Sequence, residues 1–246
     1  MSDTGPDDTG RDRPGPDRRA ALVRSLAGLE QRIAAACRAA GRTRDGVTLV
    51  AVTKTWPADD AALLRGLGVL DMGENRDAEA VDKAARVPGV RWHFVGRLQT
   101  NKARSVVSYA HLVHSVDRDR LARALDEAVL RRPGRGPLDV LLQVSLDGAD
   151  DRGGVPPGGL PALADLVAGL AGLRLAGVMA VAPLGLDPRP AFDRLAALAG
   201  ELRQAHPQAT VVSAGMSGDL ESAVAAGATH LRIGSALLGH RPPVLR

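Results

Sequence analysis

Eight short apolar runs recur along this chain, each set off from the next by a stretch of helical periodicity, and that alternation narrows the available folds more than any single residue. The runs lie at 47–53, 69–73, 91–95, 111–116, 138–146, 173–181, 210–214 and 230–234. The first, Val47-Thr48-Leu49-Val50-Ala51-Val52-Thr53, is β-branched and apolar, which suits a pleated interior, and Pro57 stops its pairing. Helical spacing fills the intervals near 58–66, 76–86, 100–108, 118–131, 158–170, 189–205 and 217–226, with a short last helix from Ala236 to Gly239. Strand and helix in strict alternation predict an α/β protein with a parallel sheet. Eight such units, preceded by one extra N-terminal helix, predict a single (β/α)8 TIM barrel. An open doubly wound sheet is the runner-up. It is weakened because Thr53-Lys54-Thr55-Trp56 stands where that fold carries a Gly-x-Gly-x-x-Gly turn.

The ends of the chain are read differently. Residues 1–17 combine Gly, Pro and Asp with one apolar residue, Met1, too little to offset the entropy of ordering. They are expected to be a disordered tail, with the barrel spanning 18–246. Leu22, Leu26, Leu29, Ile33 and Cys37 mark the extra helix over 18–40, and Gly41 stops it. No long linker sets off a second domain, and no C-terminal β-domain is expected. A chain of 246 residues, 45% hydrophobic, can bury one large core, but aromatics are only 2%, so Ala, Leu and Val must fill it.

Composition also removes function classes. The single Cys37 excludes an internal disulfide framework and fits a reducing, cytoplasmic setting. No apolar run reaches the ~18 residues of a membrane span, and no secretory leader pattern opens the chain. A pI near 9.9 raises nucleic acid as a partner. The formal charge is only +4, however, with 28 acids interleaved among 32 bases and few rings to stack on bases. Arginine preference on a solvated surface is the better account. Neither nucleic acid nor membrane is expected as a partner.

Three lysines (Lys54, Lys83, Lys102) occur among the 32 basic side chains, and Lys54 directly follows the first strand. An amine at the edge of an apolar core is expected to be held partly out of water, which disfavours the ammonium and leaves a nucleophile. Arginine cannot take that role. The alternative is a lysine whose stem lies along apolar surface with its head in water. In a barrel the strand C-termini converge on one face, where active sites are built. Those ends give Lys54, Gly73-Glu74-Asn75, His93, Gly96, Ser115, Gln143, Ser145, Met179, Ser213, Gly215, Arg232 and Gly234.

Two of these ends resemble an anion cradle. Ser213-Ala-Gly-Met-Ser217-Gly-Asp-Leu-Glu leads from strand 7 into a helix, with Ser217 expected as N-cap and Asp219 and Glu221 in the first turn. Arg232-Ile-Gly234-Ser235 leads from strand 8 into the last helix. Helix N-termini present unpaired N–H groups, and glycine lets an anion approach closely. Singly each is an ordinary cap and turn. Together, opposite a lysine, they favour a phosphorylated ligand that reacts with an amine, and pyridoxal 5′-phosphate (PLP) meets that description. Arg232 either faces the pyridine nitrogen, keeping it unprotonated because arginine only donates, or binds phosphate or a surface acid.

At this point the chain resembles the pyridoxal phosphate homeostasis proteins, the YggS/PROSC-type barrel family. The matching stretches are Leu49-Val-Ala-Val-Thr-Lys54-Thr, Gly73-Glu-Asn75, Trp92-His-Phe-Val-Gly96-Arg-Leu-Gln99-Thr-Asn101-Lys102, Gly177-Val-Met179-Ala, Ser213-Ala-Gly-Met-Ser217-Gly-Asp219 and Arg232-Ile-Gly234-Ser235-Ala-Leu-Leu-Gly239. The resemblance implies a fold-type III PLP barrel, like that of alanine racemase, with Lys54 as the Schiff-base lysine. It further implies Ser217, Gly234 and Ser235 at the phosphate, Arg232 at the ring nitrogen and Asn75 beside the cofactor; Met179 and Ser213 complete the candidate set. The implied role is PLP storage or delivery in vitamin B6 and amino-acid balance, with PLP-dependent apoenzymes as partners. Two departures stand out: Arg76 follows Asn75 where many members carry tyrosine, and Arg152 stands where the family usually has lysine.

Enzyme and carrier can be separated from the residue inventory. A PLP racemase needs a base on each face of the substrate adduct. Similar racemases take the second from a tyrosine delivered across a dimer, whereas this chain's one tyrosine, Tyr109, ends an outer helix. A non-catalytic, monomeric carrier is therefore expected. The alternatives are a weak amino-acid racemase using Lys54 and His93, a class I aldolase-like barrel acting on a sugar phosphate, and a nucleic-acid-binding module. His93, Gln99, Asn101 and Lys102 are expected to brace the loop after strand 3.

Overall fold

The computed structural model describes residues 16–148, 153–183 and 185–239. Eight strands form the sheet: β1 (Thr48–Val52), β2 (Asp71–Glu74), β3 (Arg91–Phe94), β4 (Ala110–Val116), β5 (Leu138–Gln143), β6 (Leu173–Met179), β7 (Val211–Ser213) and β8 (His230–Ile233). Each pairs in parallel with the next, and β8 returns to β1, so the barrel is closed. After the extra helix α1 (Pro16–Ala39), the helices are α2 (Ala58–Gly66), α3 (Asp77–Arg86), α4 (Ala103–Tyr109), α5 (Asp119–Leu130), α6 (Leu160–Ala168), α7 (Arg189–Ala205), α8 (Leu220–Ala225) and α9 (Ser235–Leu238). The order is the one the alternating pattern predicts. One boundary shifts: α1 begins at Pro16, two residues inside the stretch expected to be tail.

The main core lies between sheet and helices. It is built from Leu, Val and Ala, with Trp92, Phe94 and Phe192 as its buried aromatics. A separate small cluster, Leu112, Leu141, Ala176 and Met179, fills part of the barrel lumen. The rest of the lumen is polar, which an aliphatic sequence does not advertise.

Helix α1 buries Leu22, Leu29, Ile33 and Cys37 along one stripe and ends at Gly41, whose φ of 65° permits the closing Arg42 N–H bond to the Cys37 carbonyl at 2.8 Å. It packs on α8 and α9, across the seam where the last unit meets the first. Arg18 closes that seam. Its guanidinium donates to Asp60 of α2 (2.8 and 3.1 Å) and to the Leu238 carbonyl of α9 (3.1 Å), and lies 4.3 Å from the Trp56 ring centre.

Glycine is required inside β6. Gly177 has φ 152°, and a Cβ there would stand 1.9 Å from the Val211 carbonyl oxygen of β7. That contact is with backbone, so the strands themselves would have to separate. Gly177→Ala is therefore expected to destabilise the protein by roughly 2–4 kcal/mol. Urea denaturation checks this, and a loss below about 0.5 kcal/mol would show that β6 and β7 have room to yield.

Candidate functional site

Lys54 leaves the barrel at the C-terminal end of β1 and is exposed. The expectation of an amine held in apolar surroundings is thus corrected. The buried lysine is Lys83 of α3, 4% exposed. Its ammonium donates to Glu74 Oε1 at 2.5 Å and to the Thr53 carbonyl at 2.8 Å, and Thr53 Oγ1 donates to the same carboxylate oxygen at 2.5 Å. Burial pushes the Glu74 carboxyl up, against the bonds from Lys83 and Thr53 that favour its charge. On the far side of Lys54, the Thr55 N–H donates to Glu79 Oε2 at 2.9 Å. Thr55 sits at φ 68°, uncommon for a β-branched residue. Both peptides flanking Lys54 are therefore tied to α3, so the backbone is fixed while the amine stays in water.

Beside β1, on the same rim, the loops after β7 and β8 meet. Ser217 was expected to cap the helix after β7, but α8 starts only at Leu220 with Asp219 in the capping position. The Ser217 hydroxyl instead accepts the Ala236 N–H of α9 at 3.1 Å, joining the two loops, while Asp219 accepts the Met216 N–H at 2.5 Å. Arg32 of α1 donates to the Ser217 carbonyl at 3.3 Å and to Glu221, holding the first loop from outside. The N–H groups of Ser217, Gly218, Gly234 and Ser235 have no backbone acceptor among the described residues; the last two stand at the start of α9 and the first two in the loop before α8. Gly215, at φ 90°, makes the turn; a Cβ there would lie 2.6 Å from Ala223 Cβ.

Arg232 is buried between these loops and the lumen, 6% exposed. Nη1 donates to Ser213 Oγ at 2.6 Å and Nη2 to the Ala180 carbonyl at 2.9 Å. Burial pulls its pKa down to about 10, with Asp219 opposing, so it remains a cation at neutral pH. The Ser213 hydroxyl is engaged with Arg232 rather than turned to the loop that follows it. Met179 is buried beside Ser213 in the sheet register. Asn75 is half-buried, and its carbonyl packs so closely on Gly96 that a Cβ there would come within 2.3 Å.

The alanine racemase N-terminal domain family matches residues 25–242. The chain is 45% identical over 245 residues to a pyridoxal phosphate homeostasis protein of Mycobacterium bovis, covering 92% of this chain and 95% of that one. The chain belongs to the pyridoxal phosphate homeostasis protein family. The Escherichia coli member is 36% identical over 229 residues, covering 89% of this chain and 97% of that one. PipY of Synechococcus elongatus, solved with PLP bound, superposes with a TM-score of 0.76 at 34% identity over 89% of this chain and 100% of that one. An alanine racemase from Corynebacterium glutamicum, at 15% identity and TM-score 0.66, shares the fold; the match spans 93% of this chain but 62% of that one.

In this family member the mouth is backed by residues that sequence reasoning missed. His114 of β4 is fully buried, its Nδ1 2.9 Å from Ser213 Oγ and its Nε2 2.9 Å from His93 Nδ1. His93 Nε2 lies 3.0 Å from Asp71 Oδ1, and Asp71 also accepts from Arg91 at 2.7 Å. Two-residue alternation carries the signal: Leu112 faces the lumen, so His114 does too, whereas the strand's C-terminal end points to the neighbouring Ser115. Ser115 Oγ is buried without a partner among the described residues. Gln99 and Asn101 are exposed, and Lys102 pairs with Asp77 at 3.8 Å in a groove between α4 and α5. Arg76 is exposed beside Glu79; Arg152 lies outside the described residues.

Two predictions follow from this geometry. Lys83→Met leaves Glu74 buried without its cation and is expected to cost about 3–5 kcal/mol, much of it recovered in Lys83→Met/Glu74→Leu. A single-variant loss under about 1 kcal/mol in urea would show the pair to be dispensable. The second concerns acid. Burial holds His230 down to about 4 and His114 well below its ordinary value. Between about 6.5 and 4 the unfolded chain then binds more protons, so stability is full above that window and falls as pH drops through it. His230 alone contributes on the order of 3 kcal/mol. Asp71 acts lower: burial would raise it, but the bonds from His93 and Arg91 outweigh this and depress it, so its contribution is lost below the usual carboxylate range. A flat unfolding midpoint from pH 7.5 to 4 would contradict the assignment.

Proposed function

We propose that this protein binds PLP covalently on Lys54 and acts as a carrier or reservoir of the cofactor. The observation that carries the reading is the pairing, at one barrel mouth, of an exposed amine on a fixed backbone with a rim of free N–H groups and a buried arginine. The donor set fits the group: anion donors, a permanent cation and a nucleophile. When bound, PLP supplies an aldehyde that condenses with a lysine amine, releasing water. Lys54 provides that amine. Ser217, Gly218, Gly234 and Ser235 receive the phosphate, Arg232 donates towards the ring nitrogen, and Asn75 and Met179 line the space beside it. The name borne by its close relatives and the PLP-bound PipY structure support the same reading.

Storage fits the inventory better than turnover. The Tyr109 hydroxyl donates to Asp77 at 3.3 Å outside the barrel, and both ring nitrogens of His93 are occupied within the lumen. Neither is free to serve as a second base, so the weak-racemase alternative is left with Lys54 alone where it needs an acceptor on each face. Delivery as a monomer to PLP-dependent apoenzymes in the cytoplasm completes the proposal.

Borohydride reduction of the PLP-loaded protein followed by peptide mass spectrometry is expected to find the pyridoxyl group on Lys54, and Lys54→Ala to lose it. A modification confined to Lys102 or Lys83 would overturn the assignment. Incubation with L-amino acids in D2O is expected to give negligible Cα–H exchange, and rapid exchange would overturn the carrier role.

A further inference from the structure

A file of hydrogen bonds crosses the lumen from the N-terminal rim of the barrel to Arg232. It runs from Asp71, the first residue of β2, through His93, His114 and Ser213, with spacings of 3.0, 2.9, 2.9 and 2.6 Å. Asp71 is 8% exposed, and each of the other members is less exposed. Its two ends fix its direction. Arginine only donates, so Ser213 Oγ accepts from Nη1; a carboxylate only accepts, so His93 Nε2–H donates to Asp71. A neutral imidazole has one donor and one acceptor nitrogen. His93 Nδ1 must then accept, His114 Nε2–H donates to it, His114 Nδ1 accepts, and the Ser213 hydroxyl supplies that proton. Every group is satisfied once and in one sense. A cationic His93 would reverse the middle of the file, leaving Ser213 Oγ facing two donors and its own proton without the His114 acceptor.

We propose that His114 and His93 are positioning residues that, through Ser213, lock the Arg232 guanidinium in the orientation it presents to the ring nitrogen of bound PLP, with Asp71 setting the sense of the file. The ligand part rests on the proposed function; the file itself does not. A serine hydroxyl rotates freely, so Ser213 turns a lone pair to Arg232 reliably only while His114 takes its proton. With the Ala180 carbonyl gripping Nη2 at 2.9 Å, the planar guanidinium is held at two points. A donor-only group so fixed requires the ring nitrogen to accept, and hence to be unprotonated.

Three measurements test this. In the ligand-free protein, 15N NMR of labelled histidines at pH 7.5 is expected to find His93 and His114 both as the neutral Nε2–H tautomer. A cationic His93, or Nδ1–H on His114, would overturn the file. In the loaded protein, His114→Gln keeps one acceptor and one donor, whereas His114→Phe keeps volume alone. His114→Gln is expected to hold PLP within about threefold of wild type, while His114→Phe weakens retention about tenfold. With ring-15N PLP, the wild type and His114→Gln are expected to show an unprotonated nitrogen, and His114→Phe a shift towards pyridinium. Equal behaviour of the two variants would mean that only packing matters and would overturn the proposal. Should His114→Phe fail to fold by circular dichroism, Ser213→Ala replaces it, with the same expected loss and the same overturning result, a wild-type ring signal. A wild type that never forms the Lys54 adduct would refute the PLP reading while leaving the tautomer result to judge the file.

Discussion

Everything at the mouth depends on one pairing, β8 on β1. Val50 stands in register with Arg232 and Ala51 with Ile233, so segments nearly the whole chain apart share one rim. That pairing alone puts the amine at 54 beside the loops at 213–219 and 232–236. It is the costliest contact in loop entropy, and the helix that precedes the barrel is what secures it. Arg18 grips the unit after β1 and the helix after β8 together, and Arg32 holds the Ser217 loop from the same helix. The extra helix is therefore part of the site's architecture rather than an appendage to it.

A closed parallel barrel usually fills its lumen with branched aliphatic side chains. Here Leu112, Leu141, Ala176 and Met179 do so on one side, and Asp71, His93, His114, Ser213 and Arg232 occupy the other. Burying so many polar atoms is tolerable only because each has a partner, and because the charges at the two ends, a carboxylate joined by Arg91 and a guanidinium, are of opposite sign. The same condition makes the lumen sensitive to acid, since His114 and His230 can take a proton only against the burial that holds them neutral.

Much of this was legible in the sequence. The helices at 58–66 and 189–205 appear with the residues that periodicity assigns them, because their apolar faces repeat cleanly, the first between Pro57 and Gly68 and the second between Pro188 and Pro207. The polar strand ends named Arg232, Ser213 and Met179, all of which lie together. What escaped was long-range partnership. Local capping logic assigned Ser217 to its own helix, but its hydroxyl serves Ala236, nineteen residues on. Burial was assigned to Lys54 because it follows an apolar strand, yet the strand's buried face ends at Thr53, and it is Lys83, on a helix rich in charge, that lies inside. Neither partner choice is encoded by spacing; both follow from which loops and helices the closed barrel brings into contact.

The exposure of Lys54 bears on mechanism as much as its position does. A lysine enclosed in apolar surroundings would bind an aldehyde firmly and release it slowly, as suits a cofactor retained through many turnovers. On the proposed reading, an amine left in water, on a backbone held by Lys83 at residue 53 and by Glu79 at residue 55, loads without rearranging the fold and hydrolyses as readily. Rigidity is concentrated in the peptide and in the anchored Arg232, and openness at the reacting nitrogen. That division is the one a reservoir requires: the ligand is recognised through its ring and phosphate, while the covalent bond remains accessible to the water that must break it.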